Sequence, residues 1–175
     1  MQAEAHTPTR PQPTGTRMET ARQTYVTFQL ADQTFGITVT RVREILDRQK
    51  IMRLPNSARD CIGVIDTRGQ SIPVIDLAKR FAMPGVEEGE DTRIIVLDFA
   101  EGDETRTLGI RVDRVLDVTT IAADEVETAP PSAFDTVAPQ AVAGLARLGG
   151  VLVALLHAGC LFDADELDTL AGVGA

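Results

Sequence analysis

The chain has 175 residues, 43% of them apolar, and a formal net charge of −9. That length suits one domain, or two small halves sharing a core. An acidic chain with 4% aromatics lacks the basic stripe and stacking rings of a nucleic-acid binder, two His and two Cys in scattered positions do not make a structural zinc site, and no apolar run approaches the ~18–20 residues that cross a bilayer.

With no charged-then-apolar leader at its start, the chain is expected to be soluble and cytoplasmic, without direct membrane insertion. Residues 1–22, with Pro8, Pro11, Pro13 and few apolar side chains, predict a disordered tail. That tail holds three arginines against two glutamates, so the body from residue 23 onward carries the acidity. Order begins at Tyr25. Val26, Phe28 and Leu30 alternate with polar residues, which predicts a strand; Ala31 to Thr34 turns the chain, and Phe35, Ile37 and Val39 continue the alternation. Val42, Ile45 and Leu46 stand three and four apart, which predicts a short helix over that hairpin. Leu54-Pro55-Asn56 is a turn, and a short helical piece is expected before Gly63.

Residues 62–77 read as two strands joined by a polar turn at Asp66 to Gln70, with Pro73 marking an edge or a bulge. Asp76 opens a short helix from Leu77 to Phe81, ended by Pro84-Gly85; Glu87, Glu88, Glu90 and Asp91 form a solvated loop. Arg93 to Phe99 is a nearly continuous apolar strand, residues 101–104 turn, Leu108, Ile110 and Val112 alternate, and Val115 to Thr119 extends the sheet. Asp124 to Thr128 reads as a helical turn capped by Asp124, and residues 130–139 as a Pro-rich loop. Val142 to Leu148 and Val151 to His157 form a hairpin around Gly149-Gly150. A final helix spans about 158–170, with Leu161, Phe162, Leu167 and Leu170 as its apolar stripe, and 171–175 fray. Nine or ten short strands with few helices give a mainly β protein, best packed as two small antiparallel barrels.

Catalytic patterns are thin. Gly69-x-Ser71-x-Pro73 lacks the second glycine of a nucleophile elbow, and a strand follows it where a helix is needed. No Lys-Ser/Thr completes a phosphate loop near Gly63 to Gly69. His157 ends an apolar strand and reads as a core or edge histidine; Cys61 and Cys160 read as buried small apolar residues. No nucleophile is paired with a base, so no cofactor, metal or enzymatic activity is expected.

One block is more specific than composition. Gly63, Val64, Arg68, Gly69, Pro73, Val74, Ile75, Asp76 and Leu77 resemble the pattern Gly-Val-x-Asn-x-Arg-Gly-x-x-x-Pro-Val/Ile-Val/Ile-Asp-Leu of the chemotaxis coupling protein family, CheW. Phe35-Gly36-Ile37, Val42-Arg43-Glu44-Ile45, the Leu108 to Asp113 stretch and Gly144-Leu145 match the same family in order. The resemblance covers about residues 24–170. It implies two five-stranded SH3-like barrels around a shared core, within residues 23–170. It also implies a non-catalytic adaptor that docks the regulatory domain of the histidine kinase CheA to the cytoplasmic tips of methyl-accepting chemoreceptors, and so recruitment to membrane-associated arrays. The rival reading keeps the fold and makes the chain a CheW-like regulatory piece of a kinase or of a receiver fusion.

Carried over residue by residue, the resemblance implies a receptor groove at Val42, Glu44, Gly63, Asp66 and Arg68, with Thr92 nearby. Gly63, lacking a Cβ, would allow close backbone approach; Val42 would meet a receptor helix; Glu44 and Arg68 are opposite charges able to pair with each other or with the receptor. The kinase-facing surfaces are implied at Val39 and at Phe134, a large aromatic in a Pro-rich loop that is either core or an exposed anchor. The chain departs from the pattern at Asp66, where Asn is usual, and at Arg93, Glu127 and His157. These departures bear on partner choice more than on fold.

Overall fold

Among the residues that the computed structural model describes, 20–85, 87–130 and 139–173, eleven strands alternate with short helices. β1 (Arg22–Leu30) and β2 (Gln33–Thr38) form the first hairpin, turning at Ala31-Asp32. A 3-10 turn at Val39–Arg41 leads into β3 (Val42–Asp47). β4 (Cys61–Thr67), β5 (Gln70–Asp76), α1 (Leu77–Arg80), β6 (Arg93–Glu101) and β7 (Glu104–Val112) follow. β8 (Arg114–Ala122), the two-residue β9 (Val126–Glu127), β10 (Val142–Leu148), β11 (Val151–Leu156), α2 (Ala158–Leu161) and α3 (Ala164–Val173) complete it.

The strands make two sheets. The middle of the chain supplies a five-stranded one, in the order β3-β6-β7-β5-β4; both ends of the chain supply a six-stranded one, β8-β1-β2-β11-β10-β9. The mainly β, two-part architecture expected from the sequence is present, with two differences. The sheets hold six and five strands, and each contains one parallel pair, β2 with β11 and β5 with β7, among antiparallel neighbours.

Each sheet is apolar on both faces. Phe28, Ile37 and Leu156 from the first and Ile75, Ile95, Leu97 and Ile110 from the second pack into one shared core. The opposite face of the five-stranded sheet holds its own cluster of Ile65, Ile72, Val74, Ile94 and Val96, and that of the six-stranded sheet another, including Ile121, Val153 and Leu155. Burial on both faces explains why β6 reads as an unbroken apolar run.

Four local expectations are corrected. Residues 42–47 are a strand: Val42, Glu44 and Leu46 turn inward while Arg43, Ile45 and Asp47 face out, the period-2 pattern of a pleat. No helix precedes Gly63; Met52 instead bridges to Val64, with N–H to carbonyl distances of 2.8 and 2.9 Å. The helical turn near 124 is a 3-10 piece at Ala123–Glu125, where the Glu125 carboxylate accepts from the Ala122 N–H at 2.7 Å, so Asp124 is not its cap. The last helix is two helices. Phe162 is extended, and Asp163 and Glu166 then cap α3 reciprocally, each side chain accepting the other's backbone N–H.

Another expectation holds. Asp76 caps α1, its Oδ1 accepting from the Lys79 N–H at 3.2 Å, although the helix stops at Arg80, before Pro84. The expectation for Pro73 does not hold: it pairs in register with Val64 in the interior strand β5, one residue ahead of the pairing with β7, and the bulge falls on β4 between Cys61 and Gly63. Of the tail expected over 1–22, residues 1–19 lie outside the described residues, and Arg22 already belongs to β1.

Candidate functional site

The β4–β5 hairpin turns in two residues, Arg68 and Gly69, both with positive φ, 54° and 76°. Positive φ at both central positions matches the twist of the flanking strands, and Asn-Gly, Asp-Gly or Gly-Gly normally fills such a turn. The Gly149-Gly150 hairpin does so, with φ of 55° and 85°. Arg68 does not. A residue with a Cβ held there costs about 1–2 kcal/mol. Asp66 supports the turn, its Oδ1 accepting from the Gly69 N–H at 3.1 Å, as a short acidic side chain can.

The fold recovers little from this arginine. Its side chain is 86% exposed and reaches the Glu44 carboxylate at 3.7 Å, an exposed pair of a kind contributing ~0–1 kcal/mol. Ala31 and Ala82 hold similar φ of 52° and 51°; Arg68 differs in joining that conformation to a long, charged side chain left almost fully in solvent.

Glu44 arrives opposite this turn because β3 is bulged. Val42 pairs with Leu97 and Glu44 with Val96, which leaves Arg43 as the extra residue. Arg43 therefore also reaches the hairpin, its Nε 3.1 Å from Asp98 Oδ2 and its Nη1 donating to Gln70 Oε1 at 3.0 Å. Arg43, Glu44, Thr67, Arg68 and Gln70 line one shallow, open depression between the two outer strands of the five-stranded sheet. The reading of the sequence named Glu44 and Arg68 but missed Arg43 and Gln70. No local signal marks Arg43, because the bulge is set by pairing with β6.

The other expected residues fall at different places. Val42 is half-buried against the shared core, at the inner edge of the same strand. Asp66 is exposed, two residues before Arg68. Gly63 is buried with φ of 140°, and a Cβ there would lie 2.2 Å from the Met52 carbonyl oxygen. Close backbone approach at Gly63 is thus real, but the approaching backbone is the chain's own. Thr92 is buried before β6, its hydroxyl accepting from the Gly89 N–H at 2.9 Å. It borders a separate depression with Gln29, Asp113 and Arg114, so the structure does not bring it to Arg68. Val39 is half-buried in the 3-10 turn before β3. Phe134 lies outside the described residues.

Side chains with catalytic potential serve the fold. Asp76, 4% exposed, receives Arg111 on the oxygen that does not cap α1. Arg80 donates to the Leu161 carbonyl at 2.8 Å and to Asp60 and Glu166 at 2.7 Å, and lies 4.4 Å over the Phe162 ring. Burial alone would lower its pKa, but the bonds to Glu166 and Asp60 outweigh that and raise it. Burial pushes the Cys61 thiol up, with the Gly63 carbonyl opposing and Asp60 adding to the rise, the reverse of a nucleophile's setting. Cys160 is only half-buried, against expectation. His157 is exposed just past β11, not in the core. Among the described residues no group of three His, Cys, Asp or Glu could hold a metal ion, and no helix is long and apolar enough to cross a membrane. Apolar surface instead shows on the outer strand β8 at Leu116 and Val118, and beside the β10–β11 turn at Val151 and Leu152. The sequence reading missed these because they sit inside strand patterns indistinguishable from core.

The chain is similar to chemotaxis proteins. A family model described as the CheW-like domain matches residues 24–166. The chemotaxis protein CheW of Klebsiella aerogenes is 34% identical over 149 residues, 85% of this chain and 87% of that protein. The protein of the same name from Treponema pallidum is 29% identical, covering 85% and 86%. Among solved structures, the scaffolding protein TtCheW from Thermoanaerobacter tengcongensis aligns with a TM-score of 0.72 at 27% identity, over 93% of this chain and 96% of that one.

Proposed function

The chain belongs to the CheW-like domain family, and from that premise we propose that it is a non-catalytic chemotaxis adaptor that couples methyl-accepting chemoreceptors to the histidine kinase CheA. Arg68 carries the reading: a strained, outward-pointing arginine that the fold itself does not need, facing Glu44 across an open depression. In this reading Arg68, Glu44 and Asp66 present alternating charge to a receptor's helical tip, and half-buried Val42 offers apolar contact. Charged pairs at such a rim fix orientation more than they add affinity. Gly63 acts beneath that surface by letting residues 51–52 close against β4, and Thr92 acts by ordering the approach to β6. Val39 and Phe134 belong to the kinase-facing surfaces. The working unit is residues 23–170, in the cytoplasm and recruited to receptor arrays.

The mechanism is binding. An adaptor that contacts receptor and kinase differently in two signalling states biases the kinase by that difference in contact energy. The test mixes the protein with receptor fragments and kinase from its own source and measures phosphorylation with and without it. The reading expects a ternary complex on pull-down and kinase output that depends on the adaptor. Unchanged output together with no complex would refute it.

A further inference from the structure

A second depression in the described surface lies apart from the Glu44–Arg68 cluster and shares no residue with it. It lies where the irregular segment after β3 crosses the start of β4 and α1, and occupies about 800 Å³, within the size range of small-molecule sites. Its charge is opposite to that of the chain. Arg48, Lys50, Arg53, Lys79 and Arg111 line it against a single acid, Glu88, in a protein of net charge −9. Among the described residues no carboxylate lies within 4 Å of Arg48, Lys50, Arg53 or Lys79; Arg22, Arg41, Arg59 and Arg147 elsewhere also make no ion pair, but the four here line one depression together. Cations left unpaired side by side repel one another, and an acidic chain had carboxylates to spare for them. Half-buried Ile51, Leu54 and Ile62 add an apolar strip to the lining.

We propose that this depression binds a small phosphorylated organic anion, with the phosphates on Arg48, Lys50, Arg53 and Lys79 and the organic part against Ile51 and Ile62. Arginine forks match phosphate oxygens two at a time, and lysines add point charge. The concavity favours a compact ligand over an extended acidic segment of a protein. The chain also shows an anion in place at one end: Glu88 reaches from the acidic loop to Arg111 at 2.6 Å. A ligand that spreads to Arg111 competes with that carboxylate, so Glu88 tunes the affinity.

The experiment titrates the full-length protein with ATP and with inorganic pyrophosphate, by calorimetry at low and at physiological salt. The expected result is one saturable site, tighter for ATP than for pyrophosphate because of the apolar strip, and weaker as salt rises. The Arg48→Gln/Arg53→Gln double variant, whose exposed side chains make no ion pair, should keep its thermal melt and lose at least about tenfold in affinity. Glu88→Gln should bind more tightly. Absence of binding by either probe at millimolar concentration, or equal affinity in the double variant, would overturn the proposal. Tighter binding of a hexaglutamate peptide than of ATP would also overturn it, making the depression a surface for an acidic protein segment.

Discussion

Two hairpins in this molecule turn on two residues with positive φ, and they solve the same problem differently. At Gly149-Gly150 the backbone is given the residue type it favours. At Arg68-Gly69 an arginine is held where a glycine or asparagine would be more comfortable. The first turn needs no explanation beyond local geometry. The second is strained, exposed and internally unrewarded, and it borders the depression that also holds Glu44 and Arg43. Ala31 and Ala82 hold a similar positive φ, 52° and 51°, so what sets Arg68 apart is its exposure and weak internal pairing together with the conformation.

A parallel contrast separates two acid–arginine pairs of the five-stranded sheet. Asp76 is 4% exposed, caps α1 and receives Arg111, so its pair is part of the scaffold. Glu44 and Arg68 meet at 3.7 Å in solvent and are free to exchange partners. The same residue types thus do structural work in one place and remain available in the other, and exposure distinguishes them.

Four substitutions sharpen these contrasts. Asp76→Ala removes a helix cap and half of a buried ion-pair network, and should destabilise by about 3 kcal/mol in chemical denaturation. Gly63→Ala sets a Cβ against the Met52 carbonyl at a φ that favours glycine, and should cost about 2 kcal/mol by the same measurement. Gly149→Arg copies the strain of Arg68 into the relaxed turn and should lower stability by about 1 kcal/mol. A neutral result there would show that the Arg68 turn is not strained at all. Arg68→Asn, the smallest effect on folding, should leave stability unchanged or raise it by about 0.5 kcal/mol, since relief of strain offsets loss of the exposed pair.

Much of the fold was legible in the sequence, because strands with one partner face on each side give clear apolar runs or alternations, as in β1, β6 and β7. The β4–β5 hairpin was legible from its polar turn, and Asp76 from its capping position. β3 was misread as a helix because its inward residue Glu44 is polar and its outward residue Ile45 is apolar and 39% exposed. That inversion leaves Val42, Ile45 and Leu46 as an apparent helical stripe. The break between α2 and α3 was written in Asp163 and Glu166, a reciprocal cap three residues apart, but Leu161, Phe162 and Leu167 masked it as a continuous apolar face. At the candidate site, family resemblance pointed to Glu44 and Arg68. Arg43 could not be placed, because a bulge that depends on pairing with β6 decides which way it points, and Gln70 joins the site through its bond from Arg43. The same limit applies to Gly63: its need for a bare Cα was legible, but only the fold shows that residues 51–52 are what approaches it.

The central claim is that Arg68 serves a partner and not the fold. The most direct measurement compares wild type with Arg68→Asn in a reconstituted receptor–adaptor–kinase assay, with the thermal melt recorded on the same preparations. Receptor-dependent kinase output is expected to fall sharply while the melt stays level or rises. Full coupling by the variant, or a melt that collapses along with coupling, would contradict it.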